Sequence, residues 1–142
     1  MKFYNFELKH LFDFLISLEL VGKQNRMRTR FCKLIGEQFN DFMEQKDRLI
    51  FEFAKKDEHG KPLFENINET QVKYHITDTD SFNNELNLLM CEEFVIEESE
   101  TNKDMLLTVG DILINLTIPL SGQEAIQYER YCEAFERLNY TN

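Results

Sequence analysis

The residue types that could bind a metal ion occur in this chain, but their spacing does not suit one. The three histidines lie far apart, at His10, His59 and His75. A zinc site on a helix needs two histidines at i and i+4, as in HExxH, and no such pair occurs. The run at residues 78–80, Asp-Thr-Asp, resembles the start of a calcium-binding loop, yet Leu89 stands where that loop needs a bidentate glutamate. We therefore predict no metal and no cofactor.

Patterns for nucleophilic, nucleotide-binding and acid–base chemistry are also missing. The three cysteines are Cys32, Cys91 and Cys132, and none belongs to a CxxC pair. In a reducing compartment, isolated cysteines of this kind usually serve as small apolar residues. The five glycines are each isolated, so no phosphate-binding loop is predicted. Neighbouring carboxylates such as Glu92 and Glu93 diverge on any regular element, and no pattern places two around one pocket. We predict that the protein is not an enzyme.

Charge-based binding is the chemistry that the sequence favours. Five basic residues lie at the start of the second predicted helix: Lys23, Arg26, Arg28, Arg30 and Lys33. Arg26, Arg30 and Lys33 are spaced i, i+4 and i+7, so they share one helical face that could bind phosphates or an acidic partner. The alternative that we favour is pairing with the acidic half of the chain itself. Nucleic acid is disfavoured by the net charge.

The acidic residues are concentrated in the second part of the chain. The net charge is −10, but residues 1–56 hold 11 Lys/Arg against 8 Asp/Glu, whereas residues 57–142 hold 5 against 18. Charge of one sign on one surface can accelerate encounter with a partner of opposite sign. We predict that the acidic tract 97–102 is a solvated loop and that Glu97, Glu98 and Glu100 face a partner.

Two long helices are predicted in the first part of the chain. The first covers residues 5–21, with Asn5 as its N-cap and Gly22 as its stop, after a short edge strand at 2–4. The second runs from about residue 23 to 56. At roughly 50 Å it exceeds the width of a compact domain of this size. Either it is kinked or closely approached near Gly36, or part of it projects. Its far half therefore carries the predicted oligomer interface, at Phe42, Leu49 and Phe53.

The remaining elements are shorter. Residues 55–64 carry turn signals, and residues 60–77 are predicted as a loop with room for one short strand. A third helix is expected from Asp80 or Ser81 to Cys91, followed by a strand at 94–96. Residues 105–118 fit both helix and strand; we favour a helix to about residue 115, capped by Thr108 and Asp111. A closing helix begins after Ser121. The predicted fold is a single domain, residues 1–142, of mainly α class: a long helix packed with three or four shorter helices, with minor short strands.

The order of five stretches along nearly the whole chain carries a resemblance to a known family. They are FELKHLFDFL (6–15), RMRTRFCKLIGEQ (26–38), EFAKKDEHGKPLF (52–64), FNNELNLLMCEEFVI (82–96) and LSGQEAIQYERYCEAFE (120–136). This arrangement resembles DUF 1617, a family of small uncharacterised phage and prophage proteins from low-GC Gram-positive bacteria. The resemblance implies genes near those for tail or baseplate proteins and near the lysis cassette. It implies no activity, so no functional residue is carried over.

Two classes of function are compatible with these observations. The first is a non-enzymatic accessory of virion assembly, an adaptor or chaperone for a tail or baseplate protein, which the apolar long helix and the 13 phenylalanines favour. The alternative is an acidic inhibitor that occupies a basic groove of a host protein such as a defence nuclease. In both, the partner is a protein rather than a nucleic acid or a membrane. Self-association into a homo-oligomer is compatible with both. Because no run reaches the ~20 apolar residues of a membrane span and no signal peptide is recognisable, we expect the host bacterial cytoplasm.

Overall fold

The computed structural model describes residues 1–140, and 61% of them are helical. One long helix packs against shorter ones, and short strands form two small antiparallel sheets, which confirms the predicted mainly α class. The elements are β1 (Lys2–Tyr4), a 3-10 turn (Asn5–Glu7), α1 (Leu8–Ile16), α2 (Gly22–Phe53), β2 (Phe64–Asn66), β3 (Val72–Tyr74), α3 (Thr79–Met90), β4 (Glu93–Val95), α4 (Glu100–Ile114) and α5 (Gly122–Glu136).

The residues group into two compact units, which differ in the number of apolar side chains that they bury. Unit 1 comprises residues 1–39 and 93–140, and unit 2 comprises Asn40–Glu92. The long helix α2 contributes residues to both. The single domain of residues 1–142 that the sequence indicated stays a prediction.

Unit 1 contains the hydrophobic core. Its strands β1 and β4 pair antiparallel, with Phe3 opposite Phe94. The most deeply buried apolar side chains of the core come from β1 and from α1, α2, α4 and α5: Phe3, Leu8, Leu11, Leu15, Phe31, Ile35, Leu106, Val109, Leu113 and Tyr131. Gly110 of α4 is buried, and a Cβ added there would lie 3.0 Å from Cδ1 of Phe135. A larger residue at position 110 would require Phe135 to shift, so glycine favours this close approach of α4 and α5.

The first α-helix begins at Leu8, three residues after the predicted start, because residues 5–7 form a 3-10 turn. The N-cap of the 3-10 turn is Tyr4, whose amide donates to Oε2 of Glu7 at 2.8 Å. Asn5, the predicted N-cap, is buried, and its Oδ1 accepts a hydrogen bond from Nε2 of Gln38 at 3.0 Å. The side chain of Asn5 thus connects this turn to α2.

The same helix ends five residues before the predicted boundary at residue 21. It ends at Ile16, and Gly22, the predicted stop, is instead the first residue of α2, with φ of +57°. Nη1 of Arg28 donates to the carbonyl oxygens of Leu15 and Leu18 at 2.6 and 2.7 Å. The last carbonyls of a helix lack partners inside the helix, so a donor supplied from α2 allows α1 to end here.

The long helix matches its prediction closely. It covers Gly22–Phe53 without interruption, against a predicted range of about 23–56. Of the two possibilities considered at Gly36, the close approach is confirmed. A Cβ added to Gly36 would lie 3.3 Å from Cε2 of Phe12, so α1 and α2 approach closely at this position.

Unit 2 contains a β-hairpin where the sequence indicated a loop with one strand at most. Strands β2 and β3 pair antiparallel, with Phe64 opposite Tyr74 and Asn66 opposite Val72. Isolated bridges extend this small sheet, joining Ala54 to Ile76 and Lys56 to Pro62. The predicted strand count was wrong because each strand has three residues, which is too few for alternation to be visible in the sequence.

The N-cap of α3 is Asp78, and the helix begins at Thr79, one or two residues before the predicted start at Asp80 or Ser81. Its Oδ1 accepts a hydrogen bond from the amide of Ser81 at 3.1 Å. This backbone hydrogen bond lowers the pKa of the Asp78 carboxyl. The structure thus assigns the Asp-Thr-Asp run to helix capping, as the failed match to a calcium-binding loop suggested.

Helix α4 begins inside the tract that was predicted to be a solvated loop. It covers Glu100–Ile114, and Oγ of its N-cap Ser99 accepts from the amide of Asn102 at 3.2 Å. The capping role predicted for Thr108 and Asp111 is wrong, because both lie inside this helix. The preference for a helix up to about residue 115 is confirmed. Strand β4 and helix α5 lie within one residue of their predicted starts.

Candidate protein-binding surfaces

The basic stretch at the start of α2 separates into an internal and an external part. Arg28 is 8% exposed and donates three hydrogen bonds inside unit 1, two to the end of α1 and one to Oδ1 of Asn25. Among residues 1–140, the only ion pair of the stretch joins Nζ of Lys23 to Oδ1 of Asp104 at 2.7 Å. Internal pairing with acidic residues, the favoured alternative, therefore accounts for one of the five cations.

The three predicted partner-binding cations remain exposed. Arg26, Arg30 and Lys33 lie on the surface of α2, and Arg30 and Lys33 border a groove of about 370 Å³ between α2 and the start of α4. Leu34 and the buried Met105 supply its apolar floor. We call this site the basic groove. Its remaining lining residues are Glu37, Thr101 and Asn102.

The three predicted partner-binding carboxylates have different environments. Glu97 and Glu100 are exposed and form no ion pair within the described part of the chain. Glu98 is bound inside unit 1: its Oε1 accepts from the amide of Asn139 at 2.8 Å, and its Oε2 lies 3.2 Å from the amino group of Met1. The hydrogen bond from Asn139, followed by the interaction with that amino group, lowers the pKa of Glu98. Glu98 therefore has a structural role that the sequence did not reveal.

The three residues predicted at an oligomer interface are not the most exposed apolar residues of unit 2. Phe42 is buried, whereas Leu49 and Phe53 are partly buried. The Phe53 ring lies 5.9 Å from the ring of Phe82 in an edge-on arrangement. The interface at these positions stays a prediction.

The exposed apolar surface of unit 2 lies mainly around the hairpin. Phe51 of α2 and Phe64 of β2 are 52% and 53% exposed. Because directly opposed residues of an antiparallel pair point to the same face, Phe64, Tyr74 and Val72 share one face of the hairpin. The rings of Phe64 and Tyr74 lie 6.1 Å apart, and Tyr74 and Phe51 line one cleft of about 280 Å³. We call these four residues the hairpin face.

Unit 2 buries very little apolar surface of its own. Its buried apolar side chains are Phe42, Ala54 and Leu89, and every other buried apolar side chain lies in unit 1. The sequence does not indicate the hairpin face, because the polar residues 65–71 conceal the pairing of its strands. Each strand has only three residues, so no periodic signal was available to reveal it.

Of the three free cysteines, Cys32 and Cys132 are buried in the core of unit 1, and Cys91 is exposed in unit 2. Burial raises the pKa of the Cys32 thiol to about 11, so this cysteine is protonated at neutral pH. The Tyr131 hydroxyl is hydrogen bonded to Nδ1 of His10, and burial raises the pKa of Tyr131. Among residues 1–140, no three His, Cys, Asp or Glu side chains come together as a possible metal site. In the same range, no helix is both long enough and apolar enough to cross a membrane.

Comparisons with known proteins give no relative. Neither a family model, nor a curated protein, nor a solved structure matches this chain. The resemblance to DUF 1617 therefore stays a prediction from the sequence.

Proposed function

We propose that this chain is a non-enzymatic protein-binding accessory that uses the hairpin face to bind another protein. In the phage setting that the sequence resemblance implies, it acts in the host bacterial cytoplasm as an adaptor or chaperone of a tail or baseplate protein. The observation that carries the proposal is the exposure of Phe51 and Phe64 in a unit with three buried apolar side chains.

Exposure of the apolar rings of the hairpin face to water is unfavourable, so burying them against a partner would release free energy. Burying a phenylalanine side chain completely contributes about 1.5–3 kcal/mol, and roughly half of that remains available at each of these two rings. Contiguous exposed apolar patches of this kind mark protein-binding surfaces on folded proteins. Lys56 places its Nζ 5.0 Å from the centre of the Phe51 ring, which adds a charged edge to the apolar face. A partner with an apolar surface and an acidic edge fits this arrangement.

The test is a comparison of captured proteins. The tagged chain is expressed in the bacterial host during phage growth and purified beside two double variants. Phe51→Ser with Phe64→Ser removes the two exposed rings of the hairpin face. Val21→Ser with Ile126→Ser removes two apolar residues of unit 1 that are even more exposed and serves as the control. We expect a phage structural protein to be captured by the wild type and the control and lost with the hairpin-face variant. Equal capture of the same partner by all three chains would contradict the proposal.

The second candidate function is an inhibitor with an acidic binding surface. It is favoured by the residues from Asp57 to Asp111, which hold 14 Asp/Glu against 3 Lys/Arg, and by the unpaired carboxylates of Glu97 and Glu100. Capture of a basic host protein that tolerates Phe51→Ser with Phe64→Ser and is lost on Glu97→Gln with Glu100→Gln would favour this candidate over the first.

A further inference from the structure

The exposed face of α3 carries an isolated leucine between two carboxylates. Leu88 is 65% exposed, Glu85 lies three residues before it on α3, and Glu92 lies four residues after it, just beyond the C-cap residue Cys91 at which the helix ends. Both glutamates are exposed, and neither forms an ion pair within residues 1–140. The helix contains no lysine or arginine, so no cation on α3 offsets their charge. We call these three residues the α3 face.

The basic groove of unit 1 has the complementary chemistry. Arg30 and Lys33 are exposed cations without an ion pair among the described residues, and they stand beside an apolar floor formed by Leu34 and Met105. A leucine between two carboxylates matches an apolar floor beside two cations, in both charge and polarity. The unpaired charges and the exposed apolar area of each surface would therefore be matched by those of the other.

We propose that a second copy of this chain occupies the basic groove with its α3 face. Leu88 of one copy lies on the floor formed by Leu34 and Met105 of the other. Glu85 and Glu92 then face Arg30 and Lys33. This contact does not involve the hairpin face, so it stands independently of the proposed function.

The same chemistry argues for a protein occupant and against a nucleic acid. Glu37 lines the groove beside the two cations, and the chain as a whole has a net charge of −10. A phosphate backbone would be repelled by both, whereas the uncharged asparagines of α3 at positions 83, 84 and 87 tolerate Glu37. An apolar floor also contributes nothing to phosphate binding.

The two contacting surfaces differ from one another, which fixes the kind of assembly. A contact between different surfaces is heterologous and leaves one free groove and one free α3 face at the ends of every open assembly. Association is therefore expected to continue beyond the dimer with rising concentration or to close into a ring. Dissolved salt screens charge pairs at an exposed rim over a Debye length of roughly 8–10 Å, so added salt should weaken the association.

Charge reversal in sedimentation velocity tests the contact. Arg30→Glu with Lys33→Glu makes the groove acidic, and Glu85→Lys with Glu92→Lys makes the α3 face basic. We expect the wild type to associate between micromolar and submillimolar concentrations. Each reversed chain alone should associate about tenfold more weakly or not at all, because like charges then oppose each other. A mixture of the two should associate at least as well as the wild type, since every acidic face again meets a basic one.

Two matched controls separate this contact from general effects of charge. Arg48→Glu with Lys61→Glu lowers the net charge by four, as the groove variant does, and Glu52→Lys with Glu69→Lys raises it by four, as the α3 variant does. All four positions are exposed and lie outside the groove and α3, so both controls should leave association unchanged. Circular dichroism checks that all chains keep their helical content. Three results would each overturn the proposal: a wild type that stays monomeric, reversed chains that associate normally, or a mixture that fails to associate. A monomeric wild type that binds single-stranded DNA through Arg30 and Lys33 would assign the groove to a polyanion instead.

Discussion

At the scale of single residues, the basic stretch of α2 shows that one charge pattern can serve two purposes. Arg28 lies one position after the buried Met27 and three before the buried Phe31, so it falls on the inner face of the helix. Its guanidinium group has several donors in a fixed plane and can satisfy two carbonyl oxygens at once. Arg26 and Arg30 lie on the outer face, where they remain free to contact a partner.

Replacing Arg28 should destabilise unit 1 far more than replacing a neighbouring arginine. Arg28→Met removes the charged donor from the carbonyl oxygens of Leu15 and Leu18, although Leu15 keeps the hydrogen bond from the Leu18 amide. We expect a loss of about 2–3 kcal/mol in the free energy of unfolding. The exposed Arg26→Met is the control, with an expected change within about 0.5 kcal/mol. Urea unfolding followed by circular dichroism measures both. Similar midpoints for the two variants would show that the hydrogen bonds of Arg28 contribute nothing specific.

At the scale of the elements, side-chain caps mark the starts of α3 and α4 but not of α5. Ser99 caps α4 with a hydrogen bond to the amide of Asn102. Ser121 is the N-cap residue of α5, but its side chain makes no capping hydrogen bond. Asp78 caps α3, and its lowered pKa follows from the hydrogen bond that its carboxylate accepts. The sequence pattern placed Ser121 correctly, but it predicted Asp80 or Ser81 where Asp78 caps α3, and Thr108 with Asp111 where Ser99 caps α4.

The two serine N-caps give a matched pair of variants. Ser99→Ala removes a formed hydrogen bond at the start of α4 and should cost about 1 kcal/mol of stability. Ser121→Ala removes the same hydroxyl where no such bond exists, so we expect no more than a few tenths of a kcal/mol. Thermal unfolding of the two variants beside the wild type gives the comparison. Equal losses would mean that the difference in capping between α4 and α5 has no energetic consequence.

The elements also show what the sequence could reveal. Repeated apolar positions predicted α2 and α5 well, because a long amphipathic pattern is visible over many turns. The start of α4 was missed because its first turn is rich in acidic and polar residues, which also suit a solvated loop. The hydrogen bonds of Arg28 to α1 and those of Glu98 to Met1 and Asn139 join residues that are far apart in the chain, so the sequence does not reveal them. The hairpin face depends on the pairing of two strands with three residues each, which leaves no periodic signal.

At the scale of the whole molecule, the distribution of buried side chains separates the two units. Unit 1 buries apolar side chains from β1, α1, α2, α4 and α5 in one continuous core. Unit 2 buries Phe42, Ala54 and Leu89 and leaves Phe51, Phe64 and other large apolar residues exposed. A unit with so little internal burial has little free energy to oppose local opening. Its binding partner is expected to supply the missing burial.

Hydrogen–deuterium exchange of the purified, dilute chain tests this account most directly. We expect the amides of β2 and β3 to exchange much faster than those of α1 and α4, because local stability follows burial. Adding the partner captured through the hairpin face should then slow exchange in residues 62–76 while leaving α1 and α4 unchanged. Amides of β2 and β3 that are as well protected as α4 in the free chain, with no further change on adding the partner, would contradict it.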